Sequence, residues 1–171
     1  MSIDIREATI EDAEAIASVH VISWQSAYRG IMPEQFLAEL SVEARSDRWR
    51  KSLLSGKLRV LVAYVDKAVV GWIAFGPCRD ADKDSAWAEL EALYVSPEFW
   101  SQGIGKSLSN SARQLLRLAG YAFVALWVLS ENQRARGFYE RIGFVHDDSS
   151  KVISIGGLLL TEIRYHSSLT S

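Results

Sequence analysis

A single cysteine, Cys78, leaves the chain without an intrachain disulfide framework and without the thiolate companions of a cysteine-based metal site. The three histidines, His20, His146 and His166, are dispersed and show no ligand spacing, so no metal is expected. No base can be placed beside Cys78 from its spacing, which argues against a thiol nucleophile. A thiol-poor chain of this kind suits a reducing, cytoplasmic setting. The 19 Lys and Arg are scattered, and with 21 Asp and Glu the formal net charge is -2 at pH 7. Nucleic acid is therefore not an expected partner. No window approaches about 18 unbroken apolar residues, and the opening MSIDIREATIEDAEAI carries acidic residues where a signal core would be apolar. The expectation is a chain that is neither secreted nor membrane-spanning. Repeats, linkers and low-complexity segments are also lacking. With 49% hydrophobic and 23% charged residues, residues 1–171 are expected to form a single domain with a sizeable core.

What is present reads as alternating elements. Residues 3–8 alternate apolar and charged side chains, the mark of a short strand, and Thr9 then opens a T-x-x-D capping signal ending at Asp12. Ala13, Ile16, Ala17, His20, Val21, Trp24 and Tyr28 follow helical spacing, and His20 on that stripe reads as a packed core histidine. Pro33 suits the first turn of a short helix through Leu40, and residues 42–54 form another that Gly56 closes. Residues 59–65 and 68–76 read as a hairpin turning at Asp66-Lys67, with 79–85 a loop and 86–95 a further strand. Ile104, Leu108, Ala112, Leu115 and Ala119 mark one helical face ending near Gly120. An apolar strand follows over 121–129, then a shorter helix over 130–142 and a closing strand over 158–165. This mixed order predicts an α+β domain rather than a regular doubly wound fold.

One stretch carries chemistry. FWSQGIGKSL, residues 99–108, places two glycines at the mouth of a helix directly after a strand ending LYVSP. A strand, a tight loop and a helix N-terminus concentrate unpaired backbone N–H groups, an arrangement suited to phosphate. The stretch lacks the third glycine of G-x-G-x-x-G, and Lys106 lacks the spacing of G-x-x-x-x-G-K-[ST], so neither a dinucleotide nor a nucleoside triphosphate is favoured.

ELEALYVSPEFWSQGIGKSL, followed some 25 residues later by SENQRARGFYERIGF, resembles the two signature segments of the GNAT acyltransferase superfamily. The resemblance runs from the opening IREATIEDAEAI to about residue 145. It implies a central, mostly antiparallel mixed sheet flanked by helices, with fourth and fifth strands that splay apart. It also implies transfer of an acetyl group from acetyl-coenzyme A, without metal, to a primary amine of a small molecule or peptide. The family's Q/R-x-x-G-x-G/A loop maps onto Trp100, Ser101, Gln102, Gly103, Ile104 and Gly105, with Lys106 next in line. Trp100 departs from the usual Gln or Arg, while the loop amides remain available to a pyrophosphate. Leu93, Tyr94 and Val95 lie where backbone groups of the splayed strand would meet the pantetheine arm.

The catalytic candidates follow from the same mapping. Tyr139 falls where the family's general acid lies, and its phenol can return a proton to a departing thiolate. Asn132 can cap its helix, hydrogen-bond the pantetheine, or both. Glu89 and Glu91 occupy alternate positions of a strand and so share a face, and either can take the proton of an ammonium. Glu89 falls where some family members carry a strand-borne base. Trp24, Tyr28 and Arg29 in WQSAYRG are acceptor-binding candidates, as are the strands near Trp72 and Trp87. The family often pairs, which makes a homodimer with Trp100 at its contact a candidate and leaves the oligomeric state open. A different class also fits the coenzyme signature: a non-catalytic acyl-coenzyme A sensor or assembly module.

Overall fold

The computed structural model of the chain describes residues 1–170. Seven strands form one sheet: β1 (Asp4–Glu7), β2 (Arg59–Val65), β3 (Ala68–Pro77), β4 (Trp87–Val95), β5 (Phe123–Leu129), β6 (Val145–Ile155) and β7 (Leu158–Ser168). Their order is β1-β2-β3-β4-β5-β7-β6. Every neighbouring pair is antiparallel except β4 and β5. Helices α1 (Ala13–Ala27), α2 (Glu34–Ala38) and α3 (Val42–Ser55) precede β2, α4 (Ile104–Leu118) joins β4 to β5, and α5 (Gln133–Arg141) follows β5.

Both faces of the sheet are covered, which is why β2 reads RVLVAYV without alternation. Leu61, Ala63 and Val65 pack with Ile104, Leu108, Ala112 and Leu116 of α4. Val60 and Val62 face the other way, onto Ile16 and Val19 of α1 and the fully buried Trp72 of β3. The β2–β3 hairpin turns on Asp66 and Lys67, both at positive φ (50° and 66°), the geometry of a two-residue turn matched to strand twist.

The feature that shapes the site is a bulge in β4. Phe75 of β3 pairs with Leu90, but the next pair is Ala74 with Ala92, so Glu91 is an extra residue. A bulge bends its strand and increases local twist. Pairing between β4 and β5 accordingly covers only Trp87 with Phe123, Ala88 with Val124 and Glu89 with Ala125. Beyond Glu89 the two strands diverge, as the family resemblance implies.

The segment between α5 and the closing strand is the 11-residue edge strand β6. Its sequence VHDDSSKVISI is mostly exposed, and a register shift between His146 and Ser150, with Asp148 at φ 64°, breaks any alternation. Pro33 does not occupy the first turn of α2 but precedes it as the N-cap residue.

Candidate active site

A cleft of about 760 Å³ opens where β4 and β5 diverge. Its floor is residues 90–95 of β4, and its walls come from α1, the 99–106 loop, α5 and the β6–β7 hairpin.

At one end lies the glycine loop. Gly103 sits at φ 87° as the N-cap of α4, a left-handed conformation that glycine adopts without strain. Gly105 has a different reason: a Cβ there would come within 3.2 Å of the Phe138 ring, so this glycine lets α4 pack against α5. Ser107 makes the first backbone bond of α4, to Gly103, which leaves the amides of Ile104, Gly105 and Lys106 without a carbonyl. The first turn of α4 has no acidic residue, so the positive end of its dipole is uncompensated. Lys106, Arg134 and Arg141 also line this end. None of the three makes an ion pair among the described residues. Unpaired cations beside free helix amides fit the phosphates of a coenzyme A.

The middle of the cleft is backbone. Ser96 donates to the Val70 carbonyl at 2.8 Å, and the antiparallel register then makes Trp72 with Tyr94 a hydrogen-bonded pair. Leu93 and Val95 therefore turn their backbone groups away from β3, into the cleft, while the backbone of Tyr94 is spent on β3. The Val95 carbonyl is already filled, by Trp100 Nε1 at 2.7 Å and Ser23 Oγ at 3.1 Å. What remains free for a pantetheine or an oxyanion is the Leu93 backbone and the Val95 N–H. Asn132 is buried, and its Oδ1 caps α5 by accepting from the Ala135 amide at 3.2 Å. Its side-chain amide nitrogen stays unused among the described residues.

The far end is acidic and aromatic. Tyr139 projects from α5 against Phe138 and Phe144, and its hydroxyl makes no hydrogen bond among the described residues. Burial, reinforced by Tyr94, pushes that phenol well above its ordinary range, so it holds its proton. Glu91 lines the cleft, and its carboxyl is raised by burial even though Arg79 Nη1 stands 2.8 Å away. Glu162 of β7 also faces the cleft and is raised by burial, with Lys151 opposing and Glu89 adding to the shift. Glu162 has no hydrogen-bond or ion-pair partner among the described residues.

Comparison with known proteins decides the family. Residues 20–144 match the model of the Acetyltransferase (GNAT) family. The chain belongs to the GNAT acetyltransferase family. It is 34% identical to an uncharacterized N-acetyltransferase, YuaI, of Bacillus subtilis over 76% of this chain and 73% of that one. It is 30% identical to the spermidine N(1)-acetyltransferase of Thermoplasma acidophilum over 98% of this chain and all of the other. Among solved structures, the PaiA N-acetyltransferase of Thermoplasma acidophilum in complex with coenzyme A superposes with a TM-score of 0.76, covering 98% of this chain and 99% of that one at 26% identity.

The GNAT fold gathers most of the residues singled out in the sequence. Trp24, Tyr28, Glu91, Leu93, Tyr94, Val95, Trp100, Ser101, Gly103, Ile104, Gly105, Lys106, Asn132 and Tyr139 all line the cleft. Five do not join them. Arg29 is exposed and lies outside the lining. Gln102 is exposed and turns back to donate to the Glu98 carbonyl at 3.0 Å. Trp72 is wholly buried, and Trp87 stacks on Phe123. Glu89 is buried beneath the cleft, with Arg79 donating to it from Nη2 at 2.7 Å and from its backbone amide at 3.1 Å.

Residues the sequence reading missed are Glu162, Arg79 and Arg134. Glu162 lies opposite Leu129 in the β5–β7 register, a long-range pairing with no local motif. Cys78, Asp80 and Glu89 place ligand atoms within 4.8 Å of one another, but both carboxylates are already held, Glu89 by Arg79 and Asp80 by Arg164 and Trp127.

Proposed function

We propose that this GNAT protein uses acetyl-coenzyme A to acetylate a primary amine on an acceptor that carries further positive charge. The observation that carries the reading is the polarity of the cleft: unpaired cations and helix amides at the glycine end, and Glu91 with the unpartnered Glu162 at the other. Bound acetyl-coenzyme A supplies an activated acyl thioester. Lys106 and the amides of Ile104 and Gly105 hold its phosphates, and the unused Asn132 amide and the Leu93 backbone hold its arm.

The acidic end receives the ammonium. Glu91 removes its proton, directly or through water, because Glu91 reaches the cleft and Glu89 is enclosed by Arg79. Glu162 balances the remaining charge of the acceptor. The Val95 and Leu93 N–H groups point to where negative charge develops on the acyl oxygen. Tyr139 keeps its proton until a thiolate departs, and its hydroxyl then donates to the sulfur. The likeness to a spermidine N(1)-acetyltransferase along nearly the whole chain supports an acceptor of this kind.

The test is release of free thiol from acetyl-coenzyme A with monoamines, diamines, polyamines and short peptides as acceptors. Turnover with the polycationic amines is expected. Binding of coenzyme A without release from any amine would instead favour a non-catalytic sensor.

A further inference from the structure

The loop of this chain has Trp100 where the family's signature places Gln or Arg, and the structure puts a cation there from elsewhere. The Arg134 guanidinium lies over the Trp100 ring, 3.4 Å from its centre. The indole is itself fixed, because its N–H is spent on the Val95 carbonyl at 2.7 Å. Stacking occupies the face of a guanidinium and leaves its edge donors free, in the planar fork that matches a phosphate. Those donors are unspent: Arg134 makes no hydrogen bond or ion pair among the described residues, and it stands exposed at the cleft rim.

Its position follows from α5. Phe138, one turn further along the same helical face, packs on Gly105 in the first turn of α4. Arg134 is thereby carried toward the α4 amides. Partial desolvation of the stacked guanidinium and then Arg141, another cation, both lower its affinity for its proton, and no carboxylate opposes them. A stacking role alone would not require the site to gather Arg134, Arg141 and Lys106 without a carboxylate between them.

We propose that Arg134, laid on Trp100, is the cationic contact for the coenzyme pyrophosphate, supplied from α5 in place of the side chain usual at position 100. The proposal rests on the coenzyme A reading of the cleft. Its test is calorimetric binding of coenzyme A and of dephospho-coenzyme A, which keeps the pyrophosphate and lacks the 3′-phosphate, to the wild type, Arg134→Gln and Arg134→Lys. Inorganic pyrophosphate serves as competitor.

Arg134→Gln is expected to weaken both ligands alike, by about tenfold for one charge-assisted contact, and to blunt competition by pyrophosphate. Arg134→Lys should recover part of that loss, and the melting temperature of the free protein should not move. A loss confined to coenzyme A would assign Arg134 to the 3′-phosphate and overturn the proposal, as would unchanged affinity for both. A wild-type chain that binds neither ligand would overturn the coenzyme site itself, an outcome separate from either.

Discussion

The hydroxyls of Tyr28, the C-cap residue of α1, and Tyr94 on β4 lie 2.9 Å apart and tie the α1 wall of the cleft to its floor. Tyr28 is buried, and burial raises both phenols, so the pair is neutral and one hydroxyl donates to the other. Tyr28→Phe leaves the Tyr94 hydroxyl without its partner and is expected to cost about 1–2 kcal/mol. The urea midpoint reports the loss. A larger effect on the acceptor KM than on binding of coenzyme A is expected as well, because this pair lies at the acidic end.

The Tyr139 hydroxyl has no hydrogen-bond partner among the described residues, so removing it should spare the fold. Tyr139→Phe is expected to lower kcat by roughly two orders of magnitude, the scale of a lost general acid. The affinity for coenzyme A should remain that of the wild type, measured by calorimetry alongside the rate.

Arg79 holds Glu89 beneath the site and Glu91 within it, at 2.7 and 2.8 Å. Glu89 is only 3% exposed, and Arg79→Ala would strand its charge in the interior. Because only the Glu89 half of the pair is buried and the Arg79 side chain is 66% exposed, a destabilisation of about 1–2 kcal/mol is expected, read from the denaturant midpoint at neutral pH. Lower activity should accompany it, since Glu91 loses the same anchor.

His20 sits among Trp24, Trp49, Trp72 and Tyr94, accepting from Trp49 Nε1 at 3.3 Å. Burial first, and then Arg45, pushes its pKa down to about 3 from the ordinary 6.5. Between those values the unfolded chain takes up a proton that the folded chain refuses, so stability is present above pH 6.5 and is lost as the pH falls toward 3. Urea midpoints across this range should show an acid limb that is flattened in His20→Asn, which carries no charge at any pH.

Much of this was legible in the sequence because it depends on local pattern. The α4 stripe, the β2–β3 hairpin at Asp66-Lys67 and the glycine loop are each set by residues adjacent in the chain. The bulge at Glu91 was not legible. Strict alternation from Glu89 would continue through Leu93, yet Ala92 and Tyr94 pack on the α1 side while Leu90 and Leu93 pack on the α4 side. Glu162 and Arg134 escaped for the same reason: the first depends on strand register, and the second on an α5 side chain reaching the ring of a loop residue.

The carboxyls of Glu91 and Glu162 carry a second consequence. Burial raises both, against Arg79 for Glu91 and against Lys151 and Arg79 for Glu162, while Glu89 adds to each shift. A folded pKa above the unfolded value means that stability is present at low pH and is lost as the pH rises through the folded value. Glu162→Gln should therefore melt higher than the wild type above that range while losing acceptor affinity.

The most direct measurement is kcat/KM for a polyamine and for an uncharged-tail monoamine in the wild type and in Glu162→Gln. A polar cleft requires that the wild type prefer the polyamine and that the substitution remove most of that preference, about tenfold, with the monoamine little changed. An unaltered preference in Glu162→Gln, or equal losses for both amines, would contradict it.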